Sequence, residues 1–256
     1  MTYNNESIRI LHNGLKIPVI GASASFKQAL DNGYRMFDLS EDEDAQKEFM
    51  LDLENSGIMR YDCTFLLHIP THVHTYDETE RYIKHALKRL NTSYIDIVLL
   101  NSTPKGFHSQ CWKALEDLYK DGCVHAIGTG PCTAAHLDRL LSESTISPMV
   151  SEAVIYPGHP ETELKEYCDE HRIDPIAVCP SNASAVLESK EVDILSRKYG
   201  IDPIQLVVNY QAEKGALCMV PDTSHSKEAL QGAMWMNTAE PDRRYLDNMK
   251  DYAYSS

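Results

Sequence analysis

Apolar residues recur along this chain in two alternating rhythms. Short, nearly unbroken runs, such as Thr64-Phe65-Leu66-Leu67-His68-Ile69 and Ile95-Asp96-Ile97-Val98-Leu99-Leu100, have the length of buried strands. Between them lie longer segments with apolar positions three and four apart. Over residues 76–90 this spacing places Ile83, Ala86, Leu87 and Leu90 on one helical face. The pattern predicts strands at 18–23, 36–40, 64–69, 95–100, 125–128, 150–155, 175–179 and 216–220. It predicts helices at 26–31, 44–55, 76–90, 111–119, 134–141, 161–170, 191–198 and 203–213, with two more beginning at Ser226 and Asp242. Alternation of this kind implies a parallel sheet with outer helices. Ahead of it, Asn13-Gly14 between two short apolar runs predicts a hairpin.

The chain has 256 residues, close to what one parallel β/α barrel needs. No repeat, low-complexity tract or linker interrupts it, so a single domain over 1–256 is expected. Apolar residues make up 43% and charged residues 24%, an ordinary globular balance. The net charge of −14 disfavours nucleic acid and anionic membrane as partners, because both repel an acidic surface. A small-molecule substrate is the expected partner. The first nine residues are polar and no apolar run is long enough to span a bilayer, so a soluble, cytoplasmic protein is expected. The seven cysteines are scattered, odd in number and without a C-x-x-C pair; they read as reduced thiols.

Several landmarks carry a resemblance. Gly33-Tyr34-Arg35-Met36-Phe37-Asp38 resembles the G-Y-R-x-I-D motif on the second strand of the aldo-keto reductases. Arg60-Tyr61-Asp62 resembles that family's R-E-D. Tyr94-Ile95-Asp96-Ile97-Val98-Leu99-Leu100 resembles its Y-I-D-L-Y-L-I, and Trp112-Lys113-Ala114-Leu115-Glu116 its W-x-A-L-E. Gly122 with Ala126-Ile127-Gly128 resembles G-K-x-R-A-I-G. Taken together, in order and over nearly the whole chain, they imply a (β/α)8 TIM barrel with an N-terminal β-hairpin plug. The segment between the first two barrel strands is shorter than the family's, so shortened mouth loops are expected.

The resemblance implies a catalytic set of aspartate, tyrosine, lysine and histidine, with a nicotinamide cofactor. The matching positions here are Asp38, Glu43, His68 and Asn101, so three of the four differ. The cofactor positions differ as well. The family's S-N pair is Gly130-Pro131, its N-Q pair is Ser151-Glu152, and its nicotinamide-stacking aromatic is Val178. Its P-K-S and following arginine are Pro221-Asp222-Thr223 and Glu228. Two cations that would face a phosphate become two anions, which turns attraction into repulsion.

Each candidate also has a structural reading. Asp38 suits a strand end, Glu43 a helix N-terminus, His68 a satisfied core position, and Asn101 a loop cap. Cys132 and Cys179 sit at strand ends, without a predictable base beside them. His72 and His74, taken with His68, match no recognised metal-ligand spacing, and no metal site is expected. Two carboxylates and an imidazole in one partly buried place push one another's pKa values apart, as acid–base chemistry requires. The expectation is therefore a cofactor-independent lyase or isomerase acting on a small carbonyl compound, with no cofactor. His68 would be acid or base, Asp38 would orient it, Glu43 would be its complement, and Asn101 would hold the substrate oxygen. One alternative is a non-catalytic subunit that binds a protein partner. Another is a diverged NAD(P)H-dependent carbonyl reductase.

Overall fold

The computed structural model describes residues 8–39, 41–103, 106–179, 184–221 and 223–252. Two short strands, β1 (Ile8–Ile10) and β2 (Lys16–Pro18), form an antiparallel hairpin. Its turn uses Gly14 at φ +89°, a conformation that favours glycine. Asn13 donates to the His125 carbonyl at 2.9 Å. His125 stands at the start of a barrel strand, so the hairpin plugs the end of the barrel opposite the strand C-termini.

Eight parallel strands follow: β3 (Ile20–Ala22), β4 (Met36–Leu39), β5 (Thr64–Ile69), β6 (Ile95–Leu100), β7 (Val124–Thr129), β8 (Val150–Val154), β9 (Asp174–Val178) and β10 (Leu217–Val220). They close in sequence order, with β10 pairing back onto β3. The helices between them are α1 (Phe26–Asp31), α2 (Glu43–Ser56), α3 (Tyr76–Arg89), α4 (Ser109–Lys120), α5 (Ala134–Glu143) and α6 (Thr162–His171). Then come α7 (Ser184–Leu187), α8 (Lys190–Tyr199), α9 (Pro203–Glu213), α10 (Lys227–Met234) and α11 (Glu240–Asp247). The (β/α)8 architecture expected from the alternation is present. The one-turn helix α7 carried no periodic signal, being too short for one.

Two packing features explain why the landmark motifs look as they do. Arg60 pairs with Asp96 at 2.7 Å and lies over the rings of Phe65 and Tyr94, at 3.7 and 4.4 Å from their centroids. Asp96 also accepts from the Phe65 amide at 2.8 Å. The Arg60 and Tyr94–Asp96 landmarks thus form one clamp joining β5 to β6. Glu116, buried on α4, accepts from the amides of Thr145 and Ile146 at 2.5 and 2.8 Å, while Trp112 donates to the Ile146 carbonyl at 3.2 Å. These motifs hold the barrel together and contribute nothing to its mouth.

Inside the barrel a Cβ at Gly21 would stand 2.7 Å from Met219 Sδ and 2.8 Å from Met36 Cε. The two methionines therefore fill the space that the missing side chain leaves. Outside it, Phe26, Phe37, Phe49 and Phe65 pack with neighbouring centroids 4.9–6.0 Å apart and seat α1 and α2 against β4 and β5. Among the described residues, no helix is long and apolar enough to cross a membrane.

Candidate active site at the barrel mouth

Asp38 is the third residue of the four-residue β4, and His68 is the penultimate residue of β5. Glu152 is central in β8, and Asn101 directly follows β6. Strand pleating turns all four toward the C-terminal mouth, where a parallel barrel keeps its chemistry. His68 Nδ1 lies 3.0 Å from Asn101 Oδ1, which can only accept, so Nδ1 carries a proton. His68 Nε2 lies 3.4 Å from Asp38 Oδ1 and 3.4 Å from Glu152 Oε1. The imidazole is therefore enclosed by three acceptors. Burial pushes its pKa down, but hydrogen bonding to Asp38 and Glu152, reinforced by their charges, outweighs burial and holds it well above the usual histidine value. The surroundings of His68 thus favour its protonated form.

Asn101 is itself held in place by a small neighbour. A Cβ at Gly130 would collide with the Asn101 side-chain oxygen. The glycine standing where the family has serine is thus what lets Asn101 reach His68. The Asn101 side-chain oxygen faces the imidazole.

Glu43 does not join this cluster. It stands in the first turn of α2, is 64% exposed, and pairs with Arg89 at 2.8 Å. The acidic run around it is a helix start: Asp42 accepts from the amides of Asp44 and Ala45 at 2.8 and 3.2 Å. The second carboxylate at the mouth is Glu152, only 3% exposed. Its signal in the sequence is a glutamate inside the apolar run Val150–Val154, because a buried glutamate requires a partner. His74 pairs instead with His108, at 3.0 Å. Burial raises the thiol pKa of Cys132, and that of Cys179 to about 11, which disfavours the thiolate a nucleophile needs.

The residues around the mouth do not fit the family's grip on NADPH. Glu152 is turned onto His68. Ser151 shares a hydrogen bond with Thr129 at 2.8 Å and lies 3.7 Å from the Cys132 sulfur. The cleft beyond the ends of β9 and β10 is apolar, lined by Cys179, Val186, Leu187, Ile204 and Pro221 among others, and none of its lining among the described residues is a cation. The carboxylate of Glu228 lies beside Gly33, 3.4 Å from where a Cβ would stand. Asp222 falls outside the described residues.

Residues 21–194 match the model of the Aldo/keto reductase family. The chain belongs to that family. A glyoxal reductase of Bacillus subtilis (strain 168) is 27% identical over 81% of this chain and 79% of its own. Methylglyoxal reductase DkgA of Escherichia coli O157:H7 is 24% identical over 90% of this chain and 88% of its own. Among solved structures, an aldo/keto reductase from Brucella melitensis superposes with a TM-score of 0.82 at 21% identity, covering 96% of this chain and 98% of that one. The silkworm (Bombyx mori) aldo-keto reductase AKR2E5, complexed with NADPH, superposes with a TM-score of 0.84 at 19% identity, covering 97% and 88%. At such identities the structural likeness concerns the fold.

These findings correct the expectation of a cofactor-independent lyase or isomerase. The named relatives are reductases, and one neighbour is complexed with NADPH. The geometry agrees with the correction. The supposed complementary acid, Glu43, is paired with Arg89, whereas Asp38 stands beside His68 as expected of a residue that orients it.

Proposed function

We propose that this chain is a diverged NAD(P)H-dependent reductase of small carbonyl compounds in which His68 takes over the role of proton donor. The observation that carries the reading is His68 Nε2, 3.4 Å from both Asp38 and Glu152 at the mouth where the family keeps its catalytic set, in surroundings that raise its pKa. In a reduction the carbonyl oxygen gains negative charge and must receive a proton. A cationic imidazole is a stronger acid than a phenol and can supply one. Asp38 and Glu152 stabilise the imidazolium before transfer and favour its reprotonation afterwards, while Asn101 keeps the ring pointed. Reduced nicotinamide is the hydride source in this reading, held by contacts other than the family's. What this chain's residues supply is the proton. The names of the relatives support glyoxal and methylglyoxal as first substrates to try.

The test is consumption of NADH and NADPH by the purified protein, with those two compounds and a panel of small aldehydes and ketones. His68→Ala should lower turnover by about 10²–10⁴-fold, the usual contribution of a positioned acid. If neither cofactor is consumed and neither raises the melting temperature, the reductase reading fails and a non-catalytic binding role takes its place.

A further inference from the structure

Two carboxylates at the mouth share one N–H. Among the described residues, Asp38 and Glu152 each have a single charged or hydrogen-bonding partner, and for both it is His68 Nε2, at 3.4 Å. That separation exceeds the 2.7–3.2 Å typical of an N–H···O bond. Glu152 is 97% buried by its side chain (3% exposed), so no bulk water compensates its charge. A buried carboxylate with half a share of one long hydrogen bond is under-compensated, and its environment favours a further positive charge.

The same separations also suit a metal ion. In a tetrahedral site with metal–ligand bonds of ~2.0–2.2 Å, neighbouring donor atoms stand about 3.3–3.6 Å apart. Both imidazole–carboxylate separations fall on that edge length, and all three donor atoms lie within 4.8 Å of one another. The remaining edge, between the two carboxylates, lies within the same 4.8 Å, and Asp38 is the most exposed of the three at 20%. The ring is also presented as a ligand should be. Its Nδ1–H is donated to Asn101 Oδ1 at 3.0 Å, which fixes the tautomer that aims Nε2 at the carboxylates.

The geometry points to a divalent transition-metal site formed by His68 Nε2, Asp38 and Glu152, with Asn101 as the positioning residue behind the histidine. One nitrogen and two carboxylate oxygens form a donor set suited to Zn²⁺, Co²⁺ or Mn²⁺, with at least one position left open. A divalent ion between two carboxylates and a neutral imidazole leaves the cluster without net charge. The ion takes the place of the Nε2 proton, so metal occupancy and proton donation by His68 exclude each other. The proposal goes beyond the reductase reading and does not depend on it.

The test is titration of the full chain with Zn²⁺ by calorimetry and with Co²⁺ by visible absorption, under reducing conditions without chelator. One ion should bind per chain. Asp38→Asn and the isosteric Glu152→Gln should each weaken binding by at least ten-fold, and Asn101→Ala by about 10–100-fold. Glu43→Gln and His74→Ala should leave affinity unchanged, since neither residue is in the cluster; the second also controls for capture by the His74–His108 pair. Circular dichroism checks that each variant is folded, and the two carboxylate variants stand in for one another should one fail. Absence of binding at millimolar Zn²⁺ overturns the proposal. So does binding that survives both carboxylate substitutions, or a Co²⁺ spectrum of thiolate type. Cofactor consumption after chelator treatment reads the reductase reading separately, so each can fail without the other.

Discussion

His68 stands among three acceptors, and these neighbours set what it can do. Because its folded pKa is raised, the stabilisation it contributes is fully present below its unfolded pKa of about 6.5 and is lost as pH rises through the higher native value. Metal-free protein should therefore lose stability on the alkaline side of neutrality. Denaturant midpoints measured from neutral into alkaline pH should fall less steeply in His68→Gln. Gly130 is the less obvious member of the site. Gly130→Ala forces the new methyl group against Asn101 and should cost about 1–3 kcal/mol, as overpacking does. It should also lower turnover in the carbonyl assay, because the ring loses its guide. An alanine variant with unchanged melting temperature and activity would show that Asn101 has room to move.

Among the elements, the β5–β6 clamp and the helix starts carry the positioning. Asp96 is almost fully buried and satisfies both Arg60 and the Phe65 amide. Removing it leaves a guanidinium without its partner, so Asp96→Ala should destabilise by about 3–5 kcal/mol in chemical denaturation. Arg60→Lys should also destabilise, since an ammonium cannot stack on Phe65 and Tyr94 while reaching several acceptors. The capping box at Thr75 and Glu78 sets the start of α3, just beyond the β5 end that bears His68. Thr75→Ala should cost about 1 kcal/mol. These elements were legible in advance because hydrophobic period and caps are local. The helix Pro203–Glu213 and the strand Ile95–Leu100 fall at the predicted residues, while α7 is a single turn and has no period to read.

At the scale of the whole molecule, charge and topology govern what can approach. A net charge of −14 on 256 residues repels itself, and screening should relieve that repulsion. The melting temperature should rise between low salt and physiological ionic strength. The same excess of carboxylates, with Glu228 at the family's arginine position, disfavours a 2′-phosphate. NADPH should raise the melting temperature no more than NADH does, and a clear preference for NADPH would show that another group grips the phosphate.

The order of strands and helices, the barrel, the hairpin plug and the absence of the family's tyrosine and lysine were all determined by the sequence. Each depends on local pattern or on which residue stands at a motif position. The partnership of Glu152 with His68 was decided only by closure of the barrel. The strand carrying Glu152 lies 84 residues farther along the chain from His68, and no local rule links them until the sheet curves round and brings both side chains into one mouth. The exclusion of Glu43 has the same origin. Helix α2 turns away from the axis as it leaves β4, so a residue five positions after Asp38 faces Arg89 on the outer layer instead of the imidazole.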